Sequence, residues 1–92
     1  LILNIVIAYD VFDDKRRRKI EKLISAYGVR VNLSVFEVDI KMKDFKKLIK
    51  KLEETANKED NIRFYILTKE CIEKSFVLNN KGNIFDGETL YF

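Results

Sequence analysis

The first nine residues, LILNIVIAY, constrain the fold more than any other stretch of this chain. Apart from Asn4, both alternating sides are apolar. Ile2, Val6 and Ala8 lie on one side and Leu3, Ile5 and Ile7 on the other. A strand of this kind, rich in Ile and Val, belongs in the middle of a sheet covered on both faces. A chain of 92 residues makes one domain with one sheet and one layer of helices, near the size at which a single core leaves a small stability margin. The second cover is therefore expected from another copy of the chain.

The rest of the sequence supplies the elements for such a domain. The first strand stops at Asp10. Asp13 or Asp14 can cap a helix in which Ile20, Leu23, Ile24 and Tyr27 recur at i, i+3, i+4 and i+7, and Gly28 is expected to end it. Val29 to Ile40 (VRVNLSVFEVDI) is dominated by β-branched and aromatic residues, and reads as two short strands with a reversal or bulge near Asn32 to Ser34. Phe45, Leu48, Ile49 and Leu52 repeat the helical stripe, with Lys43, Lys47, Lys50 and Lys51 opposite. Asn61 to Thr68 (NIRFYILT) is another buried strand.

This order, βαββαβ, predicts an α+β ferredoxin-like sandwich with both helices on one face of an antiparallel sheet. The single domain spans 1–92. After the polar KECIEK, Ser75 to Leu78 reads as a fifth strand ended by Asn79-Asn80-Lys81-Gly82, and a turn is expected at Asp86-Gly87. The tail, 76–92, is expected to pack on the partner subunit. The sheet face away from the helices stays apolar, so the sheet is the expected dimer interface.

Composition narrows the chemistry. The chain has no histidine, which excludes imidazole acid-base pairs, Ser-His-Asp and Cys-His triads and His-ligated metals. Cys71 stands alone, so neither an intrachain disulfide nor a cysteine-based zinc site can form, and a reducing compartment, the cytoplasm, is expected. The N-terminal apolar run falls short of the ~20 residues of a spanning helix and has no leading basic region, so neither signal peptide nor membrane anchor is expected. A net charge of +3 suits a nucleic-acid partner and ordinary solubility equally. Any hydrolysis here must rest on carboxylates and a hard cation.

Carboxylates and cations meet at IVIAYDVFDDKRRRKI, residues 5–20. At ~100° per residue, Arg16 lies near the helix's apolar direction and Arg17 at its border, while Lys15 and Arg18 point to solvent. Asp10 and one or two arginines therefore meet at a strand C-terminus. Two readings of Asp10 stay open on this pattern. In one, Asp10 only ends a strand, while Asp13 and Asp14 cap the helix and pair with the arginines. In the other, Asp10 holds Mg2+ while arginines grip a phosphodiester. One carboxylate is a weak magnesium site, but two-fold symmetry would bring a second Asp10 to it. The lysines of the second helix read as a solvated face, and Cys71 as a small apolar filler.

Tyr9-Asp10, Asp13-Asp14-x-Arg16-Arg17-x-Lys19, Tyr27-Gly28-x-Arg30-Val31, Ser34-Val35-Phe36-Glu37 and Arg63-x-Tyr65-x-Leu67 occur in that order. Together they resemble the small CRISPR-associated endoribonuclease of the spacer-acquisition module, over nearly the whole chain. The resemblance implies a ferredoxin-like homodimer with magnesium-dependent nuclease activity on single-stranded RNA or, in some members, double-stranded DNA. It implies Asp10 as the metal-binding acid. It places Tyr9, Arg17, Arg30 and Phe36 at positions tied to activity or substrate contact, and Lys19 at a further basic position. Catalytic roles are thus expected for Asp10, Tyr9, Arg17 and Arg30, and nucleic-acid contacts for Lys19 and Phe36. Arg16 joins the nucleic-acid contacts on helical geometry. The chain departs from the family pattern at Asn32, where Gln is usual, and at Leu33, where an aromatic is common. Lys19 keeps the charge but not bidentate phosphate geometry.

The resemblance also implies a partner, the CRISPR integrase subunit; no membrane partner is expected, because the N-terminal apolar run is too short to span one. Three functions follow as expectations: a metal-dependent endonuclease of spacer acquisition, a non-catalytic DNA-holding scaffold dimer within the integrase complex, or a related virulence-associated toxin ribonuclease.

Overall fold

The first strand, β1 (Ile2–Asp10), runs through the middle of a four-stranded sheet in the order β2-β3-β1-β4. The computed structural model describes residues 1–85. Between its strands lie α1 (Asp14–Ser25) and α2 (Met42–Thr55), with β2 (Gly28–Asn32), β3 (Val35–Lys41) and β4 (Asn61–Leu67) completing the βαββαβ order. β1 pairs antiparallel with β3, Val6 opposite Glu37, and with β4, Val6 opposite Tyr65. The ferredoxin-like arrangement expected from the pattern is the one observed. Among the described residues no helix is long and apolar enough to cross a membrane.

Strand alternation sorts β1 as expected. Ile5, Ile7 and Tyr9 are buried under the helices, together with Phe36, Val38 and Ile40 of β3. Ile20 and Ile24 come down from α1, and Leu48 and Leu52 from α2. Each fully buried Ile or Leu contributes roughly 1.5–3 kcal/mol, and this core fixes where the end of β1 sits. Asp13 is the N-cap of α1; its carboxylate accepts the Arg16 backbone N–H at 2.8 Å. That bond satisfies one of the helix's orphan donors.

Gly28 does not cap α1. The helix closes at Ala26, with the Tyr27 N–H donating to the Ile24 carbonyl, and Gly28 opens β2. A Cβ at position 28 would lie 2.3 Å from the Glu37 carbonyl oxygen and 2.8 Å from the Val38 Cα. The glycine is needed for close approach of two strands, not for a left-handed turn. The reversal between β2 and β3 falls at Leu33-Ser34, inside the expected window, and the ladder slips between Arg30 and Asn32.

The segment after β4 departs from expectation. KECIEK forms a short helix, α3 (Lys69–Lys74), because the Thr68 hydroxyl accepts the Cys71 N–H at 3.2 Å and turns the chain off the sheet edge. Residues 75–77 form no strand, Leu78–Asn80 is a 3-10 turn, and Phe76 and Leu78 are exposed. The expected turn residues are present, with Asn79 and Gly82 both at positive φ. The chain then returns to its own sheet. Phe85 is buried and its N–H donates to the Glu37 carboxylate at 2.6 Å on the face away from the helices. The expected Asp86-Gly87 turn lies outside the described residues. The same face carries Val29, Val31, Ile2 and Tyr65, each about half exposed, and an Asn4 to Asp39 side-chain hydrogen bond.

Candidate functional site

Asp10 is the last residue of β1, opposite Asn61 of β4, and its side chain is exposed. Alternation puts it on the face away from the helices, one residue beyond buried Tyr9. Among the described residues its carboxylate has no hydrogen-bond or ion-pair partner. Asp13 and Asp14 are differently employed. Asp13 caps α1, and Asp14 pairs with the Arg17 guanidinium at 2.7 Å. Arg17 also donates to the Val11 carbonyl at 3.1 Å, which holds its cationic head beside the backbone next to Asp10. Phe12, in the loop between, is largely exposed.

On the helix side of β1 a second group of expected residues converges. The Tyr9 hydroxyl donates to Glu21 Oε2 at 2.7 Å and lies 3.3 Å from the Leu33 carbonyl. Glu21 Oε1 forms an ion pair with the Arg30 guanidinium at 2.9 Å. Arg30 lies 5.7 Å above the centre of the Phe36 ring, and the Tyr9 and Phe36 rings stand 6.2 Å apart. Burial, and next the hydrogen bond to Glu21, push the Tyr9 hydroxyl up to about 12, while the neighbouring Arg30 and Arg17 charges pull the other way. A phenol in that state keeps its proton near neutrality.

These contacts place two of the expected residues inside the fold. Phe36 is 2 % exposed and cannot stack on a base; its ring is the floor beneath Arg30. Tyr9 is 5 % exposed with its hydroxyl turned inward to Glu21. Arg16 is the third expected residue found elsewhere. Its guanidinium forms a bidentate pair with Asp60, at 2.6 and 2.9 Å, and ties the start of α1 to the loop before β4. The Asp60 side chain is 1 % exposed, and the hydrogen bond from Arg16 holds its carboxyl below the usual range. Lys19 is exposed beside Lys22, Lys47 and Lys51 on the groove between α1 and α2, on the helix layer and not on the Asp10 face.

While Arg17 pairs with Asp14, the structure therefore joins Tyr9, Arg30 and Phe36 around one residue that sequence reasoning passed over, Glu21. Its only signal in the sequence is an acid four residues after Arg17, which a helix places on the same side. Among the described residues no group of three or more acidic, Cys or His side chains is placed to hold a metal. Asp10, an exposed and unpaired hard oxygen ligand, fits magnesium as one protein ligand among waters and substrate oxygens, and one chain offers no second.

The fold and site define a class of small α+β sandwich: an unpaired acid ends the central strand with an arginine of the following helix held to the adjacent backbone, and a second arginine stands on an edge strand on the helix side. Comparison with known proteins gives the family. The sequence profile described as CRISPR associated protein Cas2 matches residues 4–75. A protein of Synechocystis sp. named CRISPR-associated endoribonuclease Cas2 3 is 45% identical over 64 residues, covering 68% of this chain and 70% of that protein. The crystal structure of Streptococcus pyogenes Cas2 at pH 6.5 superposes with a TM-score of 0.71 and 31% identity, covering 85% of this chain and 99% of the other. A chain of a partial Cas6-RT-Cas1–Cas2 complex gives a TM-score of 0.65 and 38% identity, covering 92% and 98%. This chain belongs to the CRISPR-associated Cas2 family.

Proposed function

We propose that this chain is a metal-dependent endonuclease of CRISPR spacer acquisition, hydrolysing phosphodiester bonds in single-stranded RNA, double-stranded DNA or both. The observation that carries the reading is Asp10: an unpaired carboxylate at the end of the central strand, beside an arginine held to the adjacent backbone. Relatives named endoribonucleases support it. In a homodimer packed through the sheet faces, two Asp10 carboxylates share one cleft.

Asp10 would hold Mg2+, which when bound supplies positive charge to the phosphate and a more acidic water. Arg17 and Arg30 present N–H donors to the non-bridging oxygens as negative charge builds there. The attacking water oxygen bonds to phosphorus as the bond to the leaving oxygen breaks; bulk solvent takes the proton that the water loses and supplies one to the leaving oxygen. Tyr9, holding its proton against Glu21, takes no part in the transfer.

Similarity to a chain of a Cas1–Cas2 complex favours a second reading, in which the dimer is a DNA-holding scaffold for the CRISPR integrase and its nuclease site is dispensable. One experiment separates the two. Purified protein and Asp10→Ala are incubated with labelled single-stranded RNA and duplex DNA, with magnesium or with chelator. Magnesium-dependent cleavage that Asp10→Ala abolishes supports the nuclease. Equal cleavage by the variant sinks Asp10 as the metal ligand, and spacer integration retained by the variant points to the scaffold.

A further inference from the structure

Among the described residues, Glu21 is the acidic side chain that links Arg30, the proposed phosphate contact on β2, to the buried Tyr9. Its two oxygens have separate partners, Tyr9 at 2.7 Å and Arg30 at 2.9 Å, and its side chain is 16 % exposed. We propose that Glu21 is a positioning residue: it clamps the Arg30 guanidinium over Phe36 in the orientation that receives a nucleic-acid phosphate. The inference rests on the reading of this chain as a nucleic-acid-processing protein.

The physical case starts from Arg30's location. It stands on β2, an edge strand of the sheet, with a side chain 46 % exposed. A long cation there samples many rotamers and loses that freedom when it binds phosphate. Two contacts restrict that freedom beforehand: the ion pair with Glu21 and the Phe36 ring beneath the guanidinium carbon. An arginine has five N–H donors, so a bond to Glu21 leaves others for phosphate.

Glu21 is itself held. Ile20, the preceding residue, is fully buried, and the Tyr9 hydroxyl occupies the oxygen that Arg30 does not use. Rotation of the carboxylate would break one bond or the other. Arg17 stands four residues earlier on the same helix, and its guanidinium pairs with Asp14 at 2.7 Å, so of the two proposed phosphate-binding arginines it is Arg30 that Glu21 contacts.

A competing expectation has the opposite sign. A carboxylate near a phosphate contact repels nucleic acid, so its removal by itself tightens binding. If Glu21 positions Arg30, its removal weakens binding instead.

The test uses the full chain and the variants Glu21→Ala, Glu21→Gln, Arg30→Ala and the double Glu21→Ala/Arg30→Ala. Affinity for a labelled single-stranded RNA and for duplex DNA is measured by fluorescence anisotropy in magnesium buffer, with the thermal midpoint of each variant alongside. Glu21→Ala is expected to weaken binding on the order of tenfold. Glu21→Gln, with one acceptor left, falls between it and the parent. The double variant binds like Arg30→Ala alone, because an acid acting through Arg30 has nothing left to position. Glu21→Ala binding as tightly as the parent, or more tightly, overturns the inference; so do losses that add in the double variant. If Glu21→Ala does not fold, Glu21→Gln carries the same opposition of signs. A parent chain that binds neither probe overturns the nucleic-acid reading and this inference with it, whereas unchanged Glu21 variants of a binding parent overturn this inference alone.

Discussion

Replacing Tyr9 by Phe removes one oxygen and leaves the buried ring and its contact with Phe36 in place. What is lost is the hydrogen bond to the Glu21 carboxylate at 2.7 Å; the Leu33 carbonyl, at 3.3 Å, competes for the same proton and adds little. Hydrogen bonds to charged groups are worth roughly 1.5–3 kcal/mol. Glu21 keeps some contact with water and its bond to Arg30, so the lower part of that range applies, about 1–2 kcal/mol. For a domain of this size that lowers the thermal midpoint by about 5–10 °C, readable by circular dichroism.

The same bond has a pH signature. The Tyr9 hydroxyl is raised in the folded chain, from 10.0 to about 12, by burial and Glu21. Its contribution to stability is complete below the unfolded value and disappears as pH rises through the folded one. The parent therefore loses its advantage over Tyr9→Phe between about pH 10 and 12, and an absorbance titration of the phenols should show one late tyrosine. In the nuclease assay Tyr9→Phe keeps most of its cleavage rate. A variant with an unchanged midpoint that loses more than about a hundredfold in rate, the scale of a missing proton-transfer group, would refute the structural role.

Three further outcomes are expected. Asp10→Ala, which breaks no contact among the described residues, stays within about 0.5 kcal/mol of the parent in urea unfolding while losing magnesium-dependent cleavage. Gly28→Ala drives a Cβ against the Glu37 carbonyl and the Val38 backbone, and costs roughly 1–3 kcal/mol or more, seen as a lower urea midpoint. Asp60→Asn is less stable than the parent near neutrality, because Arg16 holds the Asp60 carboxyl below its ordinary value. That contribution is present above the unfolded pKa and is lost as pH falls through the folded one, so the two stabilities converge in strong acid.

Much of this architecture is local and therefore legible. The strand LILNIVIAY, the Asp13 cap and the helical stripes of Ile20, Ile24, Leu48 and Leu52 each follow from periodicity and capping chemistry within a few turns of chain, and the structure keeps all of them. The place of Asp10, at the end of the central strand, follows from the same pattern.

What the sequence by itself determined is thus the βαββαβ frame and the position of one acid at its strand end, because short-range hydrophobic repeats and caps dictate both. The tertiary structure alone decided which charges are free. Arg16 finds Asp60, 44 residues away, and Arg30 finds a carboxylate on α1 and an aromatic floor on β3. It also decided that Thr68 turns the chain into α3 before a fifth strand can pair, and that Phe85 settles on the chain's own sheet. Such partners are chosen by proximity across a folded core, where hydrogen-bond geometry and exclusion of water select among many residues of the same charge, and no repeat along the chain encodes that choice.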